Sequence, residues 1–138
     1  ILRLNRGEAQ GHSAVTPCVI SQQDVFAARK EALDVHMADS IEQYIIRLVM
    51  ATRSPEQYSE QLVQWLEMGV SPRATIALDR CSRAHAWLSG RDYVTPEDVQ
   101  IMAYPVLRHR LLRSYHAQAE GVTPNQVISH LLSRVGSA

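Results

Sequence analysis

Gly69-Val70-Ser71-Pro72-Arg73 opens a long amphipathic helix expected to run to about Gly90. Ser71 suits the capping position, and Pro72 suits the first turn, where a missing N–H costs nothing. Arg73 then falls within that turn, beside unpaired backbone N–H groups and the positive end of the helix dipole. A guanidinium there is able to hold a phosphate by two-point contact. At about 100° per residue, Ala74, Leu78, Cys81 and Leu88 share a stripe with His85, widened by Ile76, Ala77, Ala84 and Trp87. Arg73 and Arg80 fall inside this arc, whereas Asp79, Ser82 and Ser89 form the polar back. An arginine in an apolar arc has to meet an anion, a carboxylate or water at a cleft. From residue chemistry alone, Arg73 either receives an anion or pairs with a carboxylate of its own fold. Arg80 either joins it or snorkels at the edge of the stripe.

Outward from this helix, the chain reads as all-α: a small bundle of about five to six helices with an irregular N-terminal segment. Ser21 and Asp24 form a capping box ahead of Val25, Ala28, Ala32 and Val35 at helical spacing. Asp39 or Ser40 starts a helix whose apolar face is Ile41, Tyr44, Ile45, Leu48 and Val49, ending near Arg53 where Ser54-Pro55 breaks the pattern. Ser54 and Gln57 offer another capping box before a turn that includes Leu62 and Trp65. After Gly90, Tyr93-Val94 is a short extended link. Thr95-Pro96-Glu97-Asp98 starts a helix that Pro105 ends, and a further helix runs from Val106 to about Ala119. Thr123-Pro124-Asn125-Gln126 caps a last helix carrying Val127, Ile128, Leu131 and Leu132. No alternating strand stands out. Residues 1–4 read as the tail of a helix begun elsewhere, which suggests an excised domain, and residues 5–20 are polar, with Pro17 ahead of a short extended Cys18-Val19-Ile20.

Composition narrows the function classes. The 138 residues fit one domain, and fourteen basic residues cancel fourteen acidic ones. That balance argues against a protein that coats nucleic acid or an anionic membrane. No apolar run reaches the roughly 20 residues that span a bilayer, so no membrane insertion is expected. Cys18 and Cys81 belong to no CxxC pair, and His109 and His116 lack an HxxxH or HExxH arrangement, so no metal site is expected. A reducing cytoplasm is the default location. Lys30 is the sole lysine and is followed by Glu31, so no Gly-Lys-Ser/Thr phosphate loop exists in this chain. Arg108-His109-Arg110 with Arg113, near His116, is the most basic local cluster. It reads as a solvated helix face or as a contact with another subunit or domain; nucleic-acid binding ranks below both, because no aromatic platform accompanies it.

The order and spacing of several motifs resemble the lid subdomain of MoxR-type AAA+ ATPases. These are Ala28-Arg29-Lys30-Glu31, Tyr44-Ile45-Ile46-Arg47-Leu48-Val49 with Ala51-Thr52-Arg53, Gly69-Val70-Ser71-Pro72-Arg73-Ala74, Arg83-Ala84, the run from Gly90 to Val99, and Pro105-Val106-Leu107-Arg108-His109-Arg110. The resemblance implies a division into residues 1–20, the end of a connection from core to lid plus an irregular segment, and residues 21–138, the helical lid. Ile1-Leu2-Arg3-Leu4 would belong to that connection. It implies that Arg73 is the sensor 2 residue, approaching the γ-phosphate of ATP when the lid closes, with Ser71, Pro72 and, more weakly, Arg80 beside the nucleotide. Arg108, Arg110 and Arg113 would face the core or a neighbouring subunit. It further implies an ATPase core on the same polypeptide, which would bind ATP and Mg2+, a ring of subunits, a partner with a von Willebrand factor A domain, and a role in chaperone-like remodelling or metal-cofactor insertion. Walker A, Walker B, sensor 1 and the arginine finger belong to the core, so this chain alone is not expected to hydrolyse ATP. The competing reading is a histone-fold-like or adaptor helical binding module without nucleotide, since a helix, an Arg-x-x-Val-Thr link and a Glu-Asp-Val helix also occur there.

Overall fold

A helix built on Ile41, Tyr44, Ile45, Leu48 and Val49 forms the spine of the molecule, and all five side chains are buried. The structure is a computed structural model, and it describes residues 19–136. The elements in chain order are α1 (Gln22–Asp34), α2 (Asp39–Arg53), a 3-10 turn (Pro55–Gln57), α3 (Glu60–Trp65), β1 (Leu66–Met68), α4 (Arg73–Leu88), α5 (Pro96–Leu107), β2 (Leu112–Arg113), α6 (Tyr115–Ala119) and α7 (Pro124–Arg134). The all-α expectation holds, with seven α-helices and one two-stranded sheet among the described residues. The readings made for Ile1-Leu2-Arg3-Leu4, residues 5–17 and Cys18 lie outside the described residues.

Caps account for most helix starts. Ser21 with Asp24, Thr95 with Asp98 and Thr123 with Gln126 form complete capping boxes, each satisfying two backbone donors reciprocally. Two expected caps are corrected. Ser54 makes no capping hydrogen bond; the cap falls one turn later, where Ser59 Oγ accepts from the Gln61 N–H at 3.2 Å. Ser71 does not cap α4 with its side chain: Pro72 already has helical backbone angles, φ −56° and ψ −21°, and the Ser71 carbonyl accepts from Ala74 N–H at 2.9 Å. Helix α4 ends at Gly90, as its sequence suggests. Gly90 takes φ +72°, its N–H bonds the Trp87 carbonyl, and Arg91 N–H bonds the Ala86 carbonyl. This pair of bonds is the Schellman arrangement, and the left-handed angle favours a residue without Cβ.

Helices α4 and α5 make the most extensive pair in the domain; α1 lies along α4, and α7 closes the core against α5 and α2. The buried stripe of α4 is Ala74, Leu78, Ser82 and Ala86, which rotates the helix relative to the sequence reading. Ser82 lies inside rather than on the polar back, and Leu88, expected in the stripe, is exposed. Helix α1 has no buried residue: Val25, Phe26 and Leu33 are all exposed.

The chain after Thr95 needs two corrections. Pro105 does not end the helix, because α5 continues through it to Leu107. Pro105 and Ile101 are both exposed, so the acceptor freed by the missing N–H lies on the solvated side. The helix expected from Val106 to Ala119 is replaced by a turn, strand β2 and the short α6. Strand β2 pairs antiparallel with β1, Leu66 opposite Arg113 and Met68 opposite Leu112. Ser114 extends the pairing by donating its N–H to the Trp65 carbonyl at 2.9 Å.

Candidate functional site

The loop before α4 is held by the end of α2. Thr52 is buried, and its hydroxyl donates to the Val49 carbonyl at 2.7 Å while accepting from the Val70 N–H at 3.1 Å. Gly69 sits directly on the Thr52 carbonyl: a Cβ at this position would lie 2.2 Å from that oxygen and 2.9 Å from the Arg53 nitrogen. No side chain fits there without moving backbone. Arg53 Nη1 adds a long contact of 3.5 Å to the Val70 carbonyl, and Val70 itself is buried. Two residues after this anchor the chain turns into α4.

Arg73 therefore starts α4 from a fixed platform, and its side chain is exposed. Among the described residues, neither Arg73 nor Arg80 makes a hydrogen bond or an ion pair. The alternative in which Arg73 pairs with a carboxylate of its own fold is thus not realised there. The first turn of α4 carries no acidic residue, whereas α1, α2, α3 and α5 each carry at least one. Two sources of positive potential coincide at this helix start, and no carboxylate among the described residues pairs with Arg73. Arg73, Ile76 and Arg80 lie on one side of α4 by helical spacing, away from the buried stripe. On that side a cleft of about 440 Å³ opens between α1, α2 and α4, lined by Leu33, Met37, Ile46, Ile76 and Arg80 together with the carboxylates Glu42 and Asp79; Arg73 lies outside this lining.

The opposite end of α4 is closed by a buried carboxylate. Asp98 accepts from both terminal nitrogens of Arg91, at 2.8 and 2.5 Å, and from Thr95 N–H and hydroxyl, each at 2.8 Å. His85 Nδ1 lies 2.6 Å from its other face; against an ionised carboxylate that nitrogen donates. Burial opposes the charge on Asp98, but the Arg91 guanidinium and the Thr95 and His85 donors outweigh it and hold the carboxyl well below the usual range. Arg83 is also structural: it bonds Asp79 at 2.8 Å and the Val35 carbonyl at the end of α1.

The basic cluster lies elsewhere, on the connection between α5 and α6. Arg108 donates to Asn125 Oδ1 at 3.0 Å, Arg110 to the Val106 carbonyl at 2.5 Å, and Arg113 to the Val122 carbonyl. His116 approaches Glu120 at 3.4 Å, and no three metal-ligating side chains converge among the described residues. Trp65 packs edge-on against His130, whose ring also meets Ser59 Oγ at 2.9 Å; burial, then the nearby Arg134 charge, lowers the His130 pKa. No described helix is long and apolar enough to cross a membrane.

Residue chemistry alone singled out Arg73 and not what holds it. Thr52 and Arg53 entered only within a motif, and the close approach of Gly69 was not read. The sequence carries only a faint signal for the anchor, a threonine at the last buried position of an apolar helical face before Ser54-Pro55, and its partner lies too far along the chain for that signal to name it.

Comparison with known proteins assigns these helices a class: the family model for the AAA lid domain matches residues 64–131. The chain is 36% identical over 118 residues to Chaperone MoxR1 of Mycobacterium tuberculosis, covering 85% of this chain and 31% of that protein. It is 34% identical over 96 residues to Protein MoxR of Paracoccus denitrificans, covering 64% of this chain and 28% of that protein. The crystal structure of a candidate ATPase from Cytophaga hutchinsonii superposes with a TM-score of 0.82 at 42% identity, covering 85% of this chain and 36% of that one. The chain belongs to the AAA lid domain family, as the lid subdomain of a MoxR-type AAA+ ATPase. It spans about a third of the length of these relatives.

Proposed function

We propose that this lid couples the nucleotide state of an ATPase core to movement, with Arg73 as the sensor 2 cation that meets the γ-phosphate of ATP. The observation that carries the reading is an exposed guanidinium at a helix N-terminus, without a partner among the described residues, in a chain of this family. An arriving phosphate supplies the missing anion. A contact made to triphosphate and weakened after hydrolysis gives the two nucleotide states different preferred lid positions. It also stabilises charge on the transferring phosphoryl group.

In this reading residues 21–138 are the lid, and residues 1–20 include the end of its connection to the core. The core lies on the same polypeptide and supplies the phosphate loop and the binding of ATP and Mg2+; the lid alone does not hydrolyse ATP. Ser71 and Pro72 border the phosphate, and Arg80, one pair of turns along the same side, is a weaker second cation. Arg108, Arg110 and Arg113 face the core or the next subunit of a ring. The cellular work is chaperone-like remodelling or metal-cofactor insertion in the cytoplasm, with a von Willebrand factor A domain protein as partner. The name of the mycobacterial relative supports the chaperone role.

Steady-state ATP hydrolysis by the intact ATPase, wild type against Arg73→Ala, tests the assignment. The expected result is a fall in turnover of tenfold or more, about 1.4 kcal/mol of lost transition-state stabilisation. Unchanged turnover would remove Arg73 from the nucleotide site.

A further inference from the structure

We infer that Thr52 is a positioning residue for Arg73: its hydroxyl, with the bare Gly69 backbone above it, fixes where α4 begins and so where the guanidinium meets phosphate. The inference rests on the reading of Arg73 as the nucleotide-sensing cation and adds the part of the fold that aims it.

The geometry is specific. Thr52 is 1% exposed, and its one hydroxyl serves two backbone groups at once, the Val49 carbonyl within α2 and the Val70 N–H of the loop. Gly69 lets the loop descend until a Cβ would overlap the Thr52 carbonyl at 2.2 Å, and Val70 is driven into the core beside it. Two residues, Ser71 and Pro72, separate the anchored Val70 from Arg73, and the intervening turn is closed by the Ser71 carbonyl to Ala74 N–H bond. The loop thus has little freedom between anchor and guanidinium. Loss of the Thr52 hydroxyl leaves the Val70 N–H buried without an acceptor, so the loop must lift to find one. A displacement near 1 Å at a group that contacts a transferring phosphate costs rate much more than it costs folding.

The test uses the intact ATPase. Thr52→Val keeps the shape and removes the hydroxyl; Thr52→Ser keeps the hydroxyl. Each is made alone and with Arg73→Ala, and ATP turnover and KM are measured, with circular dichroism as the check on folding. Expected are a fall in kcat of about tenfold for Thr52→Val, a near-normal rate for Thr52→Ser, and no further loss when Thr52→Val is added to Arg73→Ala. A Thr52→Val penalty of equal size in the Arg73→Ala background would make Thr52 a structural residue only. A normal Thr52→Val rate beside an impaired Arg73→Ala would overturn the positioning role and leave the sensor reading standing. A normal rate for Arg73→Ala would overturn both. If Thr52→Val does not fold, Gly69→Ala, which keeps the hydroxyl but forces the loop upward, is read against Arg73→Ala by the same comparison.

Discussion

Ser82 and Asp98 are both sealed inside the domain, and their side chains meet opposite fates. Asp98 has five donors around it, whereas Ser82 Oγ has no hydrogen-bond partner. A buried hydroxyl without a partner contributes desolvation cost and nothing in return. Ser82→Ala removes that cost and adds helix propensity, so stability is expected to stay level or rise by up to about 1 kcal/mol. Urea denaturation of the chain measures it, and a loss above about 1 kcal/mol would mean the hydroxyl has work in the fold. Ser82 also marks a limit of sequence reading. Its polarity assigns it to the back of α4, but packing decides the phase, and the small residues Ala74, Ser82 and Ala86 are fully buried on the inner side. Leu88 fails in the reverse sense: its type suggests core, yet it sits at the last turn, beyond the reach of the partner helices. The position of Arg73 in the first turn of α4 is legible because its neighbours in sequence define the helix start. Thr52 was not, because its partner lies eighteen residues away.

The joint between α4 and α5 depends on one carboxylate. Asp98 closes the N-terminus of α5 through Thr95 and ties it to the end of α4 through Arg91 and His85. Its pKa is depressed in the folded state, so its contribution is complete above the unfolded carboxylate value of about 4. That contribution is lost as pH falls below this value toward the lower folded one. Asp98→Asn removes the counter-charge of the Arg91 guanidinium and the ionised acceptor of the Thr95 and His85 donors, and is expected to lower stability at neutral pH. The gap between wild type and variant should shrink as pH is lowered below about 4. Thermal melts of both proteins across pH check it; a pH-independent difference would contradict the electrostatic origin. The elements themselves were legible where local chemistry fixes them. The capping box at Ser21, the helix starts at Thr95 and Thr123, and the five apolar residues Ile41, Tyr44, Ile45, Leu48 and Val49 of α2 all stand where the sequence reading puts them. The misplaced elements are those fixed by distant partners. Strands of three and two residues carry no alternation to detect, and β2 exists only because β1 lies beside it. Pro105 reads as a helix stop, but it falls on the exposed side of a final turn that packing at Val106 and Leu107 holds in place.

Across the molecule, the balanced charge and the continuous core of the described residues make an ordinary helical domain, and one side of α4 stands out. Ile76 and Arg80, on the same side of α4 as Arg73, line an open cleft, and α1 beyond it buries none of its apolar residues. A lid that closes on a core would have its recognition groups on such a side. The direct measurement is the distance between fluorescent probes on core and lid of the intact ATPase, recorded with a non-hydrolysable ATP analogue and with ADP. In wild type the two nucleotides should give different distances, and in Arg73→Ala the analogue should give the ADP distance. If Arg73→Ala closes on the analogue as fully as wild type, Arg73 does not sense the phosphate.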